Sequence, residues 1–175
     1  MVDFENKEMK INKQEEKALQ VLSKIAEGIS ADAEVKLASS NQDYTIFEII
    51  KADPGIIIGK HGHTLDAIQY LVNLIVNKEN QQGTHKIYIV DIDGYRKRRE
   101  ESLQRYAREK AEIAKRKGDT IALYYMNSIE RKLVHMALKE DPEVITYSEG
   151  REPYRRVIIK PTSQTEADVN KKDQY

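Results

Sequence analysis

The sequence predicts an α+β fold of two small α/β lobes joined by a long basic helix. Apolar residues recur with helical period in some segments and with a period of two in others. The resulting order is helix, strand, strand, short helix, helix, strand, then long helix, strand, helix, strand, strand. The charge changes sign near Asp93, because residues 30–94 hold 5 basic and 9 acidic side chains whereas residues 95–160 hold 17 and 11. The 175 residues, which show no internal repeat, are enough for two small domains.

The first lobe is expected to hold two long helices, one very short helix and three strands. Asp53 is a good N-cap and Pro54 suits the first helical position, but the glycine at 59 leaves room for only one turn of helix. The segment from His85 alternates as a strand with apolar residues on both sides, so we expect both of its faces to be covered. We place the helices at 14–29, 54–58 and 64–77, the strands at 33–40, 44–51 and 85–91, and turns at 41–43 and 81–84.

The second lobe begins with the long helix, which Gly118 is expected to end as the C′ residue. An Asn-x-x-Glu pattern at Asn127 predicts a capping box at the start of the next helix. In that helix Ile129, Leu133 and Met136 recur at helical spacing, so we expect them to form the apolar stripe that faces the core. We place the helices at 94–117 and 127–139 and the strands at 120–125, 144–147 and 155–159.

Composition restricts the class of protein. Without cysteine, the chain has no disulfide framework, no thiolate metal site and no cysteine nucleophile. Asn73 and Asn77 interrupt the longest apolar run, which stays below the roughly 18 residues of a membrane span, and the N-terminus has no apolar signal segment. We therefore expect a cytoplasmic protein. Its expected parts are a polar lead at 1–13, a first domain at 14–93, a second domain at 94–160 and a disordered tail at 161–175.

Two glycines three residues apart separate the short helix from the helix that follows it. Because glycine has no Cβ, a sugar-phosphate backbone can approach the main chain here, and the N–H groups at the start of the next helix favour phosphate oxygens. A lysine adds positive charge, and flanking apolar side chains are expected to line a groove for unstacked bases. The candidate residues are Gly59, Lys60, His61 and Gly62 for the phosphates and Ile57, Ile58, Leu65 and Ile68 for the groove.

This string lies between a short and a long helix, inside strand–helix–helix–strand, and it resembles the KH domain. That module binds single-stranded nucleic acid and uses its Gly-x-x-Gly loop to clamp the backbone of about four nucleotides. The helix and strand that precede the string are similar to the type II, bacterial arrangement. The resemblance implies that the first lobe binds a few bases of single-stranded RNA. The alternative is a degenerate KH fold whose turn is structural and which pairs with protein.

Arg131 and His135 are four residues apart, so they lie side by side on one helix face, roughly opposite the apolar stripe. We expect the pair to face solvent or a ligand, where arginine offers a planar fork for phosphate and histidine stacks or donates. The helix follows a strand and precedes the segment Thr146–Arg156. This arrangement, with Arg and His separated by three residues, resembles the R-3-H domain, which is associated with single-stranded nucleic acid. A KH domain followed by an R-3-H domain is similar to the bacterial Jag family (the SpoIIIJ-associated, KhpB or EloR proteins) over about residues 14–160.

Basic residues of the second lobe are candidate phosphate contacts. The run at 96–99 lies at the N-terminal end of the long helix, where the helix dipole disfavours positive charge, and this suggests a use beyond helix stability. A solvated helix with i, i+4 charge pairs is the alternative. Tyrosines at 124, 125, 147 and 154 either stack on bases or pack at the edge of the core. The candidate contacts are Arg96, Lys97, Arg98, Arg99, Arg131, His135, Arg155 and Arg156.

The sequence contains no recognised catalytic motif. It has no Gly-x-Ser-x-Gly and no His-Glu-x-x-His, and the string from Gly55 lacks both the spacing and the Ser or Thr of a phosphate-binding P-loop. His61 and His63 have no acidic or cysteine partner that the sequence places beside them, so we expect no metal site. We therefore expect a protein that is not an enzyme and has no cofactor, metal or small-molecule substrate.

The resemblance to the Jag family implies non-catalytic binding of single-stranded RNA. It further implies post-transcriptional regulation linked to bacterial cell elongation and division, and pairing with a second small KH protein or a second copy of the chain. Two alternatives remain, namely a dimerising scaffold that docks protein and scarcely binds RNA, and a protein that binds single-stranded DNA through the R-3-H lobe. Family members often begin with an additional small domain that residues 1–13 do not match, so we expect either a short member or a fragment.

Overall fold

The structure, a computed structural model, describes residues 11–78 and 85–163. The chain divides into two units, Met1–Tyr95 and Arg96–Tyr175. Most of the expected polar lead, the predicted turn at 81–84 and most of the expected tail lie outside the described residues. No helix within the described ranges is long and apolar enough to cross a membrane.

The first unit contains its predicted helices and strands in the predicted order. Asn12 and Glu15 form a capping box at the start of the first helix, and the Asp53 side chain caps the short helix by accepting from the Gly55 amide at 2.8 Å. The middle strand of the sheet pairs antiparallel with the first and parallel with the third. The elements are α1 (Lys13–Ile29), β1 (Glu34–Ser40), β2 (Tyr44–Ile50), α2 (Pro54–Ile58), α3 (His63–Lys78) and β3 (Ile87–Ile92).

The core of the first unit lies on one face of this sheet. Alternate residues of β2 and β3 are buried there against α1 and α3, and Phe47 stacks on Tyr88 with ring centroids 6.3 Å apart. The prediction that both faces of β3 are covered is wrong. Ile87 is exposed and Ile89 only half-buried, because α1 and α3 pack on the side to which Tyr88, Val90 and Ile92 point.

Side-chain amides of α3 hydrogen-bond to the backbone of β3, the strand at the edge of the sheet. The Asn73 Nδ2 donates to the Tyr88 carbonyl at 2.6 Å, and the Asn73 Oδ1 accepts from the Tyr88 amide at 2.9 Å. The Gln69 Oε1 accepts from the Val90 amide at 3.1 Å, and the Asn77 Nδ2 donates to the Lys86 carbonyl at 3.1 Å. The helix thus supplies the partners that a further strand would supply, and it protects the edge from pairing with another chain.

A buried carboxylate joins α1 to the sheet. Glu15 is buried and accepts from Thr45 Oγ1 at 2.9 Å, from Lys86 Nζ at 2.7 Å and from the Ser40 hydroxyl. Burial alone would raise the pKa of Glu15, but these donors and the Asn12 amide outweigh it and lower the pKa to about 2. The carboxylate therefore stays ionised at neutral pH and holds the start of α1 against the β1–β2 hairpin.

The second unit is a three-stranded antiparallel sheet with two helices. Four residues of α4, three of them alanine, are buried in its core, so this helix lies close to its neighbours. Gly118 ends α4 with a φ of +68°, as predicted, and the capping box of Asn127 and Glu130 is confirmed. The strand order is β4-β6-β5. The elements are α4 (Tyr95–Lys117), β4 (Ile121–Tyr125), α5 (Ser128–Ala137), β5 (Val144–Glu149) and β6 (Arg156–Pro161).

We predict that Asn73→Ala weakens the first unit, because it leaves the Tyr88 amide and carbonyl without the partners that Asn73 provides. A fully buried peptide group left unpaired costs about 1–3 kcal/mol. These two hydrogen bonds are only partly buried, so the free energy of unfolding should fall by about 2–4 kcal/mol, the lower part of the range for two groups. Urea unfolding measures the loss, and hydrogen exchange of the Tyr88 amide should accelerate.

Gln20→Ala is the matched control, because Gln20 is an exposed amide side chain on α1. Unchanged stability together with unchanged exchange at Tyr88 in Asn73→Ala would contradict a role for α3 in capping the sheet edge.

Candidate nucleic-acid interface

The Gly-x-x-Gly turn has a left-handed backbone conformation that residues other than glycine rarely adopt. Gly59 and Gly62 have φ angles of +68° and +83°, and His61 between them has a φ of +55°. Lys60 is exposed, and α3 begins at His63, directly after the turn. The turn therefore presents a lysine and the first N–H groups of a helix at the same place.

Close packing explains why both glycines are needed. A Cβ on Gly59 would lie 2.1 Å from the Thr64 Oγ1, and a Cβ on Gly62 would lie 2.9 Å from the Tyr95 ring and hydroxyl. Thr64 and Tyr95 thus fix the shape of the turn, although neither was predicted from the sequence. Thr64 directly follows the motif and could have been noticed, whereas Tyr95 gives no local signal because it is distant in sequence.

The predicted apolar groove beside the turn is mostly wrong. Ile57, Leu65 and Ile68 are buried in the core of the first unit, and Ile58 is half-buried against that core. Their spacing on α2 and α3 points them at the sheet, so they position the turn and cannot stack on bases without opening the core. The adjacent Ile56 is the exposed apolar residue of α2.

The basic run at the start of α4 is not uniform. Lys97 and Arg98 are exposed and Arg96 is half-buried. Arg99 instead binds within the second unit: its Nε donates to the Glu130 Oε1 at 2.8 Å, and its guanidinium lies 5.6 Å from the centroid of the Tyr124 ring. The prediction that Arg99 is available for phosphate is therefore wrong, since a buried carboxylate already neutralises it.

The predicted apolar stripe of α5 is only partly right, since Leu133 is half-buried against the core but the other two members are not. Ile129 and Met136 are 71% and 58% exposed, whereas Glu130, Arg131 and Val134 are buried. Spacing alone favoured the apolar side chains for the core. The opposite face is buried because its charged groups have partners, which removes most of the cost of burying them.

Arg131 ties three segments of the second unit together. It is 9% exposed, and its Nη1 donates to the Met126 carbonyl at 2.9 Å and pairs with the Glu152 Oε1 at 2.7 Å. Met126 follows β4, and Glu152 lies in the turn between β5 and β6. The arginine that was expected to face a ligand therefore holds the β5–β6 turn in place.

His135 is held in the same way against β5. Its Nδ1 lies 2.8 Å from the Thr146 Oγ1, and its Nε2 lies 3.0 Å from the Ser148 Oγ. Burial, and then the charge of Arg131, lower the pKa of His135 below its ordinary value, so the ring is neutral at pH 7. One ring nitrogen donates and the other accepts, and both positions are satisfied by hydroxyl groups.

The remaining predicted residues lie along β6 and the turn before it. Arg155 is half-buried, and its carbonyl accepts from the Met126 amide at 3.2 Å. The guanidinium of Arg156 lies 3.4 Å from a Glu149 carboxylate oxygen and 5.8 Å from the centroid of the Tyr125 ring. Among the parts of the chain that the structure describes, no group of three His, Cys, Asp or Glu side chains could hold a metal ion.

The four tyrosines of the second unit that the sequence singled out separate into two kinds. Tyr124 is half-buried against the core and packs on Tyr106, with ring centroids 5.0 Å apart. Tyr125, Tyr147 and Tyr154 are exposed. Tyr124 therefore has a packing role, whereas the other three tyrosines present aromatic surface to solvent.

Comparison with known proteins assigns both units. Residues 15–89 match the model of the KhpA/KhpB KH domain, and residues 101–161 match the model of the R-3-H domain. Proteins named RNA-binding protein KhpB are 36% identical in Clostridium symbiosum over 149 residues and 35% identical in Lactiplantibacillus plantarum over 132 residues. The one in Bacillus subtilis is 31% identical over 140 residues.

These alignments cover 83%, 75% and 79% of this chain, in the same order. They cover 65%, 39% and 66% of the relatives, so the chain spans about two-fifths to two-thirds of the proteins that it matches. Three findings agree on one family: the α+β fold, the KH domain followed by an R-3-H domain, and the similarity over most of the chain. The chain belongs to the Jag, or KhpB, family.

Proposed function

We propose that this chain binds single-stranded RNA without catalysing a reaction, and that the Gly-x-x-Gly turn is the primary contact. The observation that carries the proposal is the turn itself, in which two glycines with positive φ bring the exposed Lys60 to the start of α3. Relatives named RNA-binding protein KhpB align with most of this chain, which supports RNA as the ligand.

Phosphates would lie against the backbone of the turn. A left-handed backbone followed at once by a helix directs consecutive N–H groups toward one place, and the helix dipole favours negative charge there. Lys60 adds a point charge that requires no fixed geometry. Because these groups touch the backbone of the nucleic acid, this contact gives affinity and little sequence preference.

The second unit would supply most of the long-range attraction. Residues 30–94 have four more acidic than basic side chains, whereas residues 95–160 have six more basic than acidic. Lys97 and Arg98 are the exposed members of the run on α4, and Arg156 of β6 is a further, half-buried cation 3.4 Å from Glu149. Two modest sites on one chain raise the effective concentration of the second contact once the first has formed.

We predict that the double substitution Lys60→Asp, His61→Asp abolishes RNA binding and leaves the fold intact. The change places two carboxylates where phosphates are expected to bind, and the turn backbone keeps both glycines. Fluorescence anisotropy with a single-stranded RNA of random sequence, at several salt concentrations, measures the loss. Thermal unfolding checks the fold.

The double substitution Gln20→Asp, Lys24→Asp, at two exposed positions of α1, controls for the change of three formal charges. Unchanged affinity in the double variant would remove the turn from the mechanism and favour a protein scaffold. Equal affinity of the native chain for single-stranded DNA would show that the RNA 2′-hydroxyl is not recognised.

Arg131 acts in this proposal as a positioning residue. Arg131→Ala should lower the free energy of unfolding of the second unit by about 1–3 kcal/mol, because it leaves the Met126 carbonyl unpaired and releases Glu152. RNA affinity should fall, while the dependence of log affinity on log salt should keep its slope.

Loss of a direct phosphate contact would instead make the salt slope shallower by about 0.7. That result, with stability unchanged, would contradict the positioning role. Lys132→Ala, an exposed neighbour on α5, is the control for removing one positive charge.

The proposal extends to the cell. We propose a cytoplasmic post-transcriptional regulator of cell elongation and division that pairs through its KH domain with a second small KH protein or a second copy of itself. Support for pairing comes from α3, whose outer side exposes Tyr70, Leu71, Leu74 and Ile75. These side chains lie opposite the buried face of the helix and form a contiguous apolar surface of a kind that usually marks an interface.

We predict that Leu74→Glu disrupts self-association, because it buries an unpaired carboxylate in the middle of that surface. Sedimentation or light scattering should show a dimer for the native chain and a monomer for the variant. Gln20→Glu adds the same charge on α1 and should leave the dimer intact. A native chain that stays monomeric would contradict pairing of two copies and direct the search to another KH protein.

A further inference from the structure

The sheet of the second unit has one face packed on helices, and its other face, termed the open face, exposes side chains of the two edge strands. On β6, the central strand, Val157 and Ile159 belong to the core, so Arg156 and Ile158 point to the open face, but Ile158 is itself only 3% exposed. The register places Tyr147 of β5 opposite Ile158. Tyr147 therefore lies on the open face beside β6.

A bulge in β4 brings a second tyrosine to this face. Ala122 pairs with Ile158 and Tyr125 pairs with Arg156, so β4 contains one residue more than β6 between these two pairs. Without the bulge, Tyr125 would lie on the same side as Leu123, in the core. With it, Tyr124 packs inside and Tyr125 points out.

A third tyrosine reaches the same place from the β5–β6 turn. The Tyr154 ring meets the Tyr125 ring edge to face, with centroids 5.5 Å apart and an angle of 72° between the ring planes. Tyr154 is 67% exposed, Tyr125 48% and Tyr147 44%. The guanidinium of Arg156 lies near the Tyr125 ring as well, at 5.8 Å from its centroid.

The turn that carries Tyr154 is held firmly. Arg131 binds Glu152 at 2.7 Å, and the Tyr154 amide donates to the Arg151 carbonyl at 2.8 Å. Gly150 has a φ of +92°, and a Cβ there would lie 3.0 Å from the Tyr154 carbonyl oxygen. A fixed ring loses little conformational entropy when it binds a ligand.

The charge around these rings selects the kind of ligand. Residues 149–160 hold the basic side chains of Arg151, Arg155, Arg156 and Lys160 against the carboxylates of Glu149 and Glu152. An aromatic surface within a net positive segment matches a polyanion whose apolar parts are flat rings. Single-stranded nucleic acid has this chemistry.

We propose that Tyr125, Tyr147 and Tyr154, together with Arg156, form a stacking platform that binds unpaired bases of single-stranded nucleic acid. Tyr125 and Tyr147 lie on strands two apart, and their pairing with Arg156 and Ile158 sets them two residues apart along β6. Their backbones are therefore about 12 Å apart, which leaves room for two or three bases. This inference rests on the proposed RNA-binding function and adds a second, base-contacting site to it. Arg131 and the β4 bulge serve this site by directing its rings.

The test compares two single-stranded oligonucleotides of equal length, one with bases and one with abasic sugars. In the full chain, Tyr147→Leu and Tyr154→Leu each keep an apolar side chain and remove the ring. Each should weaken binding of the base-containing strand about tenfold, since stacking contributes roughly that factor for one base. Binding of the abasic strand and the salt slope should not change, because no charge is lost.

Tyr44→Leu, at an exposed tyrosine of the first unit, is the control for removing a ring. If both platform variants bind the base-containing strand as the native chain does, while the Lys60 and His61 double variant does not bind, the platform is overturned and the turn remains. If the native chain binds neither strand at low salt, both proposals are overturned.

Discussion

The hydrogen bonds from α3 to the edge strand β3 are the constraint on which the first unit depends. Asn73 pairs with the amide and the carbonyl of Tyr88, and Gln69 and Asn77 bind the peptide groups on either side. These contacts fix both the position of α3 and its rotation about its own axis. The beginning of the helix then meets the glycine turn at a defined angle, and the outer apolar side faces away from the sheet. One row of amides thus determines where the turn lies and which surface stays open.

The second unit also depends on polar contacts, in which buried polar side chains position exposed side chains. Arg131 links the end of β4 to the β5–β6 turn, and His135 is held by two hydroxyl groups of β5. These are the residues by which the R-3-H domain is recognised in sequence. Their partners show that, in this chain, they shape the sheet and its turn. The side chains that they leave exposed, above all Tyr154, are the ones available to a ligand.

Local signals in the sequence predicted the helices and strands well, since caps, glycine turns and periodicity act over a few residues. Prediction of side-chain direction was weaker where charge was buried. Apolar spacing favoured Ile129 and Met136 for the core side of α5, but the buried side of this helix carries Glu130 and Arg131, because each has a partner distant in sequence. The prediction of an apolar groove at Ile57 and Leu65 was wrong because these residues have the apolar spacing of ordinary core residues, and they are buried in the core. The close approach of Tyr95 to Gly62 arises only in the folded chain, so no local sequence pattern predicted it.

The measurement that tests the central claim most directly is an NMR titration of the ¹⁵N-labelled chain with a short single-stranded RNA. The central claim is that the turn at Gly59–Gly62 binds phosphate while the amides of α3 hold it in place. We expect the largest amide shifts at residues 59–64 and small shifts along β3, because the edge contacts are already formed in the free protein. Shifts that leave residues 59–64 unchanged and appear instead on the outer face of α3 would contradict it.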